Sequence, residues 1–176
     1  MKKNALLKQA KQFAIDAHNS IGHRRKYTDE PYHVHLERVA NLVATVTTNA
    51  EIIVAAWLHD VIEDVAPKNN DFNENAIRQL FGDHVLKLVL EVSDVSKLED
   101  GNRSKRKAID REHLAKASNE GKLIKLADLI DNVVDISKHD PHFARVIRKE
   151  AALLLPSLQS GNKVLYEALK KLLKIK

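Results

Sequence analysis

The stretch that decides the fold is AAWLHDVIEDV, residues 55–65, in which one histidine and three carboxylates interrupt an apolar run. The spacing predicts a single helix from about residue 50 to 64. At about 100° per residue, four ionisable side chains then share an arc of roughly 140° on one helix face. They are His59, Asp60, Glu63 and Asp64. Such a face is either a polar surface turned to water or a group of ligands that surrounds a cation.

Helical periodicity continues on both sides of this stretch. Near the N-terminus, apolar residues recur at three- and four-residue steps: Leu6, Leu7, Ala10, Phe13, Ala14 and Ala17. Gly82 has the position of a helix stop, and Asp140-Pro141 that of an N-cap followed by proline at the first helical position. No segment shows sustained alternation of apolar and polar residues. We therefore predict one all-α domain over residues 1–176, a bundle of about eight to ten helices.

Composition narrows the classes of function. The 176 residues include no cysteine, so any metal must be held by imidazole nitrogen and carboxylate oxygen. There is no signal-peptide pattern and no apolar stretch of membrane-spanning length, which leads us to expect a cytoplasmic protein without a membrane partner. The formal charge of +5 is compatible with an anionic partner, but by itself it does not favour nucleic acid over a phosphorylated small molecule.

Two residues cannot complete a coordination sphere, so other segments must supply further ligands. His35 lies on the preceding predicted helix, and Asp128 interrupts the apolar run LIKLADLIDNVV. With His59 and Asp60 they offer two imidazoles and two carboxylates, a set that suits Mn²⁺, Fe²⁺ or Zn²⁺. Alternatively, Asp128 bonds to the N-terminus of a neighbouring helix, and the acidic residues face water.

With these residues in view, the chain resembles the HD-domain phosphohydrolases. Within them it is similar to the small alarmone hydrolases, relatives of the hydrolase half of the RelA/SpoT proteins and of the metazoan SpoT homologue. The resemblance covers nearly the whole chain. It rests on these segments: RRK, PYHVHLERVA, AAWLHDVIEDV, FGDHVLKLVLEVSD, KLADLIDN and LQSGNKVLYEALKKLL.

The resemblance implies an HD-type helical bundle and a role for each matching residue. The metal ligands it implies are His35, His59, Asp60 and Asp128, with Mn²⁺ as the usual ion and Fe²⁺ or Zn²⁺ as alternatives. Glu63 and Asp64 match a motif that orients and deprotonates the attacking water. The residues expected to contact the nucleotide are Arg25, Lys26, Asn132, Lys97, Arg103, Arg106 and Arg145.

The implied activity is hydrolysis of the 3′-pyrophosphate of the alarmone (p)ppGpp, which yields GDP or GTP and pyrophosphate. The partner is then a small nucleotide rather than a nucleic acid, and the oligomeric state is left open. One alternative is another phosphohydrolase on the same scaffold, acting on NADPH or a deoxynucleotide. A second alternative, from a different class, is a helical module that binds nucleic acid or a nucleotide through its basic segments RRK and SKRK.

Overall fold

The computed structural model describes the backbone of residues 2–175 and the side chains of residues 3–175. Within this part of the chain there are nine α-helices and no strand, apart from an isolated antiparallel bridge between Arg24 and Pro31. The predictions of an all-α fold and of eight to ten helices are therefore confirmed. The helices form two compact units, the first ending at Ser93 and the second beginning at Asp94. The single HD domain predicted over residues 1–176 stays a prediction.

The first unit contains five α-helices. Their bounds are Lys2–Ser20 for α1, His33–Ala44 for α2, Ala50–Leu58 for α3, Glu74–Phe81 for α4 and Asp83–Val92 for α5. A π-helical turn, Val61–Val65, follows α3, and a 3₁₀ turn, Asn70–Phe72, precedes α4. α3 is the central element, because every residue from Ile52 to Leu58 is buried, and it packs against α1, α2 and α5.

The second unit contains the remaining four α-helices. Their bounds are Arg103–Ala115 for α6, Asn119–His139 for α7, Pro141–Leu154 for α8 and Lys163–Leu172 for α9. Short 3₁₀ turns cover Leu98–Asp100 and Leu155–Leu158. α7, the longest helix of this unit, packs against α8 and α9 and buries a stripe of apolar residues that includes Leu123 and Leu126.

Side-chain caps fix where many of these helices begin. An Asn, Ser or Asp oxygen accepts a backbone N–H two or three residues later, which satisfies a donor that the first helical turn leaves without a partner. The capping residues are Asn49, Asn73, Asn102, Ser118, Asp140 and Asn162. The predicted cap at Asp140 with Pro141 behind it is confirmed. The predicted stop at Gly82 is also confirmed, and its φ of 90° explains why glycine occupies that position.

None of the helices in residues 2–175 combines the length and the low polarity that crossing a lipid bilayer requires.

Candidate metal centre

The regular helix that carries the His-Asp pair is shorter than the sequence predicted. α3 ends at Leu58, and the chain passes through His59 and Asp60 into the π turn, where the Ala66 amide donates to the Val61 carbonyl five residues back. The single helix predicted from 50 to 64 is therefore wrong, and so is the common face calculated at 100° per residue. A π turn contains more residues per turn than an α-helix, and such turns occur frequently at functional sites.

The two histidines predicted as ligands nevertheless lie close to the aspartate of the pair. His35 on α2 and His59 after α3 are 0% and 1% exposed, and their ring centroids are 5.3 Å apart. The Nε2 atoms of His35 and His59 lie 3.6 and 3.2 Å from Oδ2 of Asp60. Three side chains with ligand chemistry for a transition metal therefore converge on one buried point.

The orientation of His59 follows from its backbone contact. Its Nδ1 lies 2.9 Å from the carbonyl oxygen of Ala56, and because a carbonyl only accepts, Nδ1 must be the protonated nitrogen. In the neutral ring, Nε2 then presents its lone pair toward the Asp60 carboxylate 3.2 Å away. Two acceptors that face each other repel, and a cation bound by both removes the repulsion. A backbone carbonyl holding the second nitrogen is also the usual support of a metal-bound histidine.

Tyr32 is a further member of this cluster. It lies directly before α2, and its hydroxyl donates a 2.7 Å hydrogen bond to Oδ2 of Asp60. A charge-assisted bond of this length fixes the carboxylate against the two imidazoles. Tyr32 was not among the residues predicted from the sequence.

Comparison with known proteins agrees with this geometry. The HD domain family matches residues 10–158, which is most of the chain and includes His59 and Asp60, the His-Asp pair. The chain belongs to the HD domain family.

Several relatives of this HD-domain protein are named as hydrolases of guanosine bis(diphosphate). It is 38% identical over 133 residues to guanosine-3′,5′-bis(diphosphate) 3′-pyrophosphohydrolase MESH1 of Drosophila melanogaster, covering 74% of this chain and 69% of the relative. It is 33% identical over 178 residues to MESH1 of Homo sapiens, covering 97% and 94%. A solved structure described as a metazoan orthologue of SpoT that hydrolyses ppGpp superimposes with a TM-score of 0.82 at 29% identity, covering 97% and 94%. The resemblance inferred from the sequence is therefore confirmed.

The second unit of the HD-domain chain holds the remaining predicted ligand, Asp128. It is buried on α7, where Lys125 forms a 2.9 Å ion pair with Oδ2 and Asn132 donates a 2.6 Å hydrogen bond to Oδ1. Asn132 therefore shares a helix face with Asp128, as the four-residue spacing predicted. Lys125 was missed, although a lysine three residues before a buried aspartate is a recognisable i, i+3 pair. The role of Asp128 as a fourth ligand stays a prediction.

The acidic pair lies in the π turn of the HD site. Glu63 is exposed and Asp64 is half-buried, so the two carboxylates differ in their environment. The pKa of Asp64 is raised to about 7, first by burial and then by the nearby negative charges of Asp60 and Glu63. Both carboxylates belong to the same short segment as the His-Asp pair, and their roles in activating water stay predictions.

Two of the predicted substrate contacts lie in the loop between α1 and α2. The guanidinium carbon of Arg25 is 5.7 Å from the ring centroid of Tyr32, which places this cation beside the residue that bonds Asp60. The ammonium of Lys26 is 5.1 Å from the Tyr27 ring, in an exposed position. Arg25 therefore lies against the ring of the residue that bonds Asp60.

The remaining predicted contacts lie in the second unit. Lys97 and Arg145 are exposed and Arg106 is half-buried. Arg103 binds Glu150 through two bonds of 2.7 and 2.8 Å and lies over the Phe143 ring, so its guanidinium is already paired. This hydrogen bond raises the pKa of Arg103. Binding of nucleotide by these four residues stays a prediction.

Proposed function

We propose that the protein is a Mn²⁺-dependent hydrolase that removes the 3′-pyrophosphate of (p)ppGpp and releases pyrophosphate with GDP or GTP. The proposal rests on one observation: the imidazoles of His35 and His59 lie close to the Asp60 carboxylate in a buried cluster. The Tyr32 hydroxyl donates a hydrogen bond to the same carboxylate. The names of the relatives support the substrate, since MESH1 of two animals is called a guanosine-3′,5′-bis(diphosphate) 3′-pyrophosphohydrolase.

The metal fits the residues of the first unit. His35, His59 and Asp60 would hold it, and Asp128 is proposed as the fourth ligand on the ground of the sequence resemblance. When bound, such an ion lowers the pKa of a coordinated water and polarises a phosphate oxygen. Two imidazoles with carboxylates suit Mn²⁺, Fe²⁺ and Zn²⁺ about equally by ligand type, and Mn²⁺ is preferred because it is the usual ion of the family that the sequence resembles.

Other residues of the protein orient the metal ligands and accept the proton of the attacking water. Tyr32 and the Ala56 carbonyl orient Asp60 and His59, so little reorganisation is needed at the moment of reaction. Glu63, the exposed member of the acidic pair, is proposed to accept the proton of the attacking water, and Asp64 to orient that water.

Basic residues are proposed to bind the phosphates and to neutralise charge on the leaving pyrophosphate. Arg25 and Lys26 are the first of these, because Arg25 lies against Tyr32, which bonds Asp60, and Lys26 follows it directly in the loop. Asn132 is proposed to contact the nucleotide, and the four basic residues of the second unit are proposed as further phosphate contacts: Lys97, Arg103, Arg106 and Arg145.

Product analysis tests the proposal directly. The chain is stripped with a chelator, reloaded with Mn²⁺, Fe²⁺ or Zn²⁺, and incubated separately with ppGpp, pppGpp, NADPH and a deoxynucleotide. We expect free pyrophosphate from ppGpp or pppGpp with Mn²⁺. Release of phosphate from NADPH or the deoxynucleotide, with no pyrophosphate from either alarmone, would assign the protein to a different reaction on the same scaffold.

A pair of variants separates catalysis from mere binding. Asp60→Ala removes the carboxylate that the histidines and Tyr32 share, so we expect background activity with an unchanged helical spectrum. Asp16→Ala is the matched control, because Asp16 is an exposed aspartate of α1 in the same unit and outside the cluster. Full activity in Asp60→Ala would contradict the proposal. Salt-sensitive retention of RNA or DNA that survives both chelation and Asp60→Ala would instead support the binding module.

A further inference from the structure

A second group of ligand-type side chains lies in the first unit, beside the His-Asp centre. His18 is at the end of α1, His23 is in the following loop, and Asp64 is in the π turn. One ligand atom from each of these three residues lies within 4.8 Å of the other two. None of them is among the ligands assigned to the first metal ion.

The distances within this group match those between ligands of one ion. The two Nδ1 atoms of His18 and His23 are 3.0 Å apart, and Nδ1 of His23 is 3.8 Å from Oδ2 of Asp64. Bonds of about 2.1 Å to a common transition-metal ion separate two ligand atoms by roughly 3.0 Å at right angles and by about 4.2 Å when opposite. The separation between His23 and Asp64 also exceeds a hydrogen bond, so direct bonding does not account for it.

The environment of His18 is the second observation that points to a ligand. Its side chain is 1% exposed, and no hydrogen-bond partner for its Nε2 atom is found among the described residues. Only one of the two facing Nδ1 atoms can carry a hydrogen, so hydrogen bonding between His18 and His23 leaves a buried ring nitrogen without a partner in either tautomer. Leaving such a group without a partner costs about 1–3 kcal/mol. An ion bound through Nε2 of His18 would remove this cost, whereas an ion bound through Nδ1 would replace the contact with His23.

The backbone fixes the positions of the two imidazoles. The His23 amide donates to the His18 carbonyl at 2.9 Å, and Gly22 between them has a φ of 62°, which glycine adopts without strain. The Tyr32 ring stacks on His23 with centroids 3.7 Å apart and on His18 at 4.7 Å. The group is therefore held in place before any ion binds.

We propose that His18, His23 and Asp64 bind a second divalent transition-metal ion next to the one held by the His-Asp pair. Two imidazoles and one carboxylate favour Mn²⁺, Fe²⁺, Co²⁺ or Zn²⁺ over Mg²⁺ and Ca²⁺, which prefer oxygen ligands. Three protein ligands leave coordination positions for water or for an oxygen of a phosphate. Tyr32 links the two sites, since its ring covers His23 while its hydroxyl bonds Asp60.

The proposal of a second ion does not depend on which substrate the protein hydrolyses. It assigns to Asp64 the role of a metal ligand, whereas the sequence resemblance implied direct orientation of water. It also accounts for two histidines that the hydrolytic scheme does not use.

Counting bound metal tests the proposal. The full-length chain is freed of metal with a chelator, titrated with Mn²⁺ by calorimetry, and analysed for manganese by mass spectrometry after gel filtration. We expect two Mn²⁺ per wild-type chain, one in His23→Gln and one in Asp60→Ala. His23 is the residue to change first, because it is partly exposed and its replacement disturbs the fold less than that of buried His18.

His84→Gln is the matched control, since His84 is a half-exposed histidine of the same unit that pairs with Glu51 and lies outside both groups. It should keep two ions. A single Mn²⁺ in the wild type, or the same number in the wild type and in His23→Gln, would overturn the second site. If Asp60→Ala keeps both ions while His23→Gln loses one, the proposed His-Asp centre fails and the second site stands. Helical spectra of all variants identify any that fail to fold, and His18→Gln then provides the same count independently.

Discussion

Removal of a single hydroxyl group tests whether Tyr32 supports the metal centre. Tyr32→Phe deletes the donor that lies 2.7 Å from Oδ2 of Asp60, and it keeps the ring that stacks on His23 and His18. The change therefore acts on one hydrogen bond and leaves the apolar packing of the loop in place. No other atom is added that could clash.

The magnitude follows from the charge on the acceptor. A hydrogen bond to a charged group contributes about 1.5–3 kcal/mol, and about 1.4 kcal/mol corresponds to a tenfold change in an equilibrium constant. Partners that hold a metal ligand in place typically change metal affinity by about 10- to 100-fold when they are removed. We therefore expect Tyr32→Phe to weaken Mn²⁺ binding at the His-Asp centre by about 10- to 100-fold.

Calorimetric titration of the metal-free chain with Mn²⁺ measures this change. Tyr166→Phe makes the same chemical change in α9 of the second unit, and it should leave the affinity as it is in the wild type. Thermal unfolding of the metal-free variants checks that both chains fold. An affinity of Tyr32→Phe within twofold of the wild type would refute the reasoning, because Asp60 would then be positioned without its hydroxyl partner.

Three further changes have definite outcomes. In Gly161→Ala the new Cβ would lie 2.7 Å from the backbone carbon of Lys122, so we expect a loss of about 1–3 kcal/mol, read as a lower melting temperature. Asp140→Ala removes the oxygen that accepts the Phe143 amide at 2.9 Å, and urea unfolding should show a loss of about 1 kcal/mol that Asp140→Asn largely restores. The pKa of Asp64, raised to about 7, means that between roughly pH 4 and 7 the metal-free folded chain keeps a proton that the unfolded chain releases. Stability contributed by this group therefore falls as the pH rises through that window, and urea unfolding of Asp64→Asn should lack this component; an identical pH dependence in both chains would contradict it.

The features of the fold that the sequence predicted correctly are determined by residues close to one another in the chain. Asp140 and Pro141 begin α8 because a cap needs only the amide three residues later, and Gly82 ends α4 because a positive φ favours glycine. The His-Asp pair was recognised because charged groups inside an apolar run need compensation. The cytoplasmic location expected from the sequence stays a prediction.

The parts that were not predictable depend on residues far apart in sequence. Tyr32 reaches Asp60 across 28 positions, and Arg103 reaches Glu150 across 47, so no local pattern reveals either contact. His18 was not predicted as a ligand, although it follows Ala14 by four residues and therefore continues the buried face of α1. A histidine on an apolar helix face is the one signal that could have directed attention to the second group of ligands.

The end of α3 shows how folding and chemistry depend on the same residue. The last four carbonyl groups of an α-helix have no partner within the helix, and Ala56 belongs to this set in α3. His59 bonds that carbonyl through Nδ1, so the contact that helps to end the helix also determines which nitrogen faces Asp60. If the α-helix instead continued to residue 64, Asp60 would follow His59 at the regular 100° step, and the π turn that carries Glu63 and Asp64 would be lost. We therefore expect a variant that restores a regular helix here to keep its helical content and to lose metal binding.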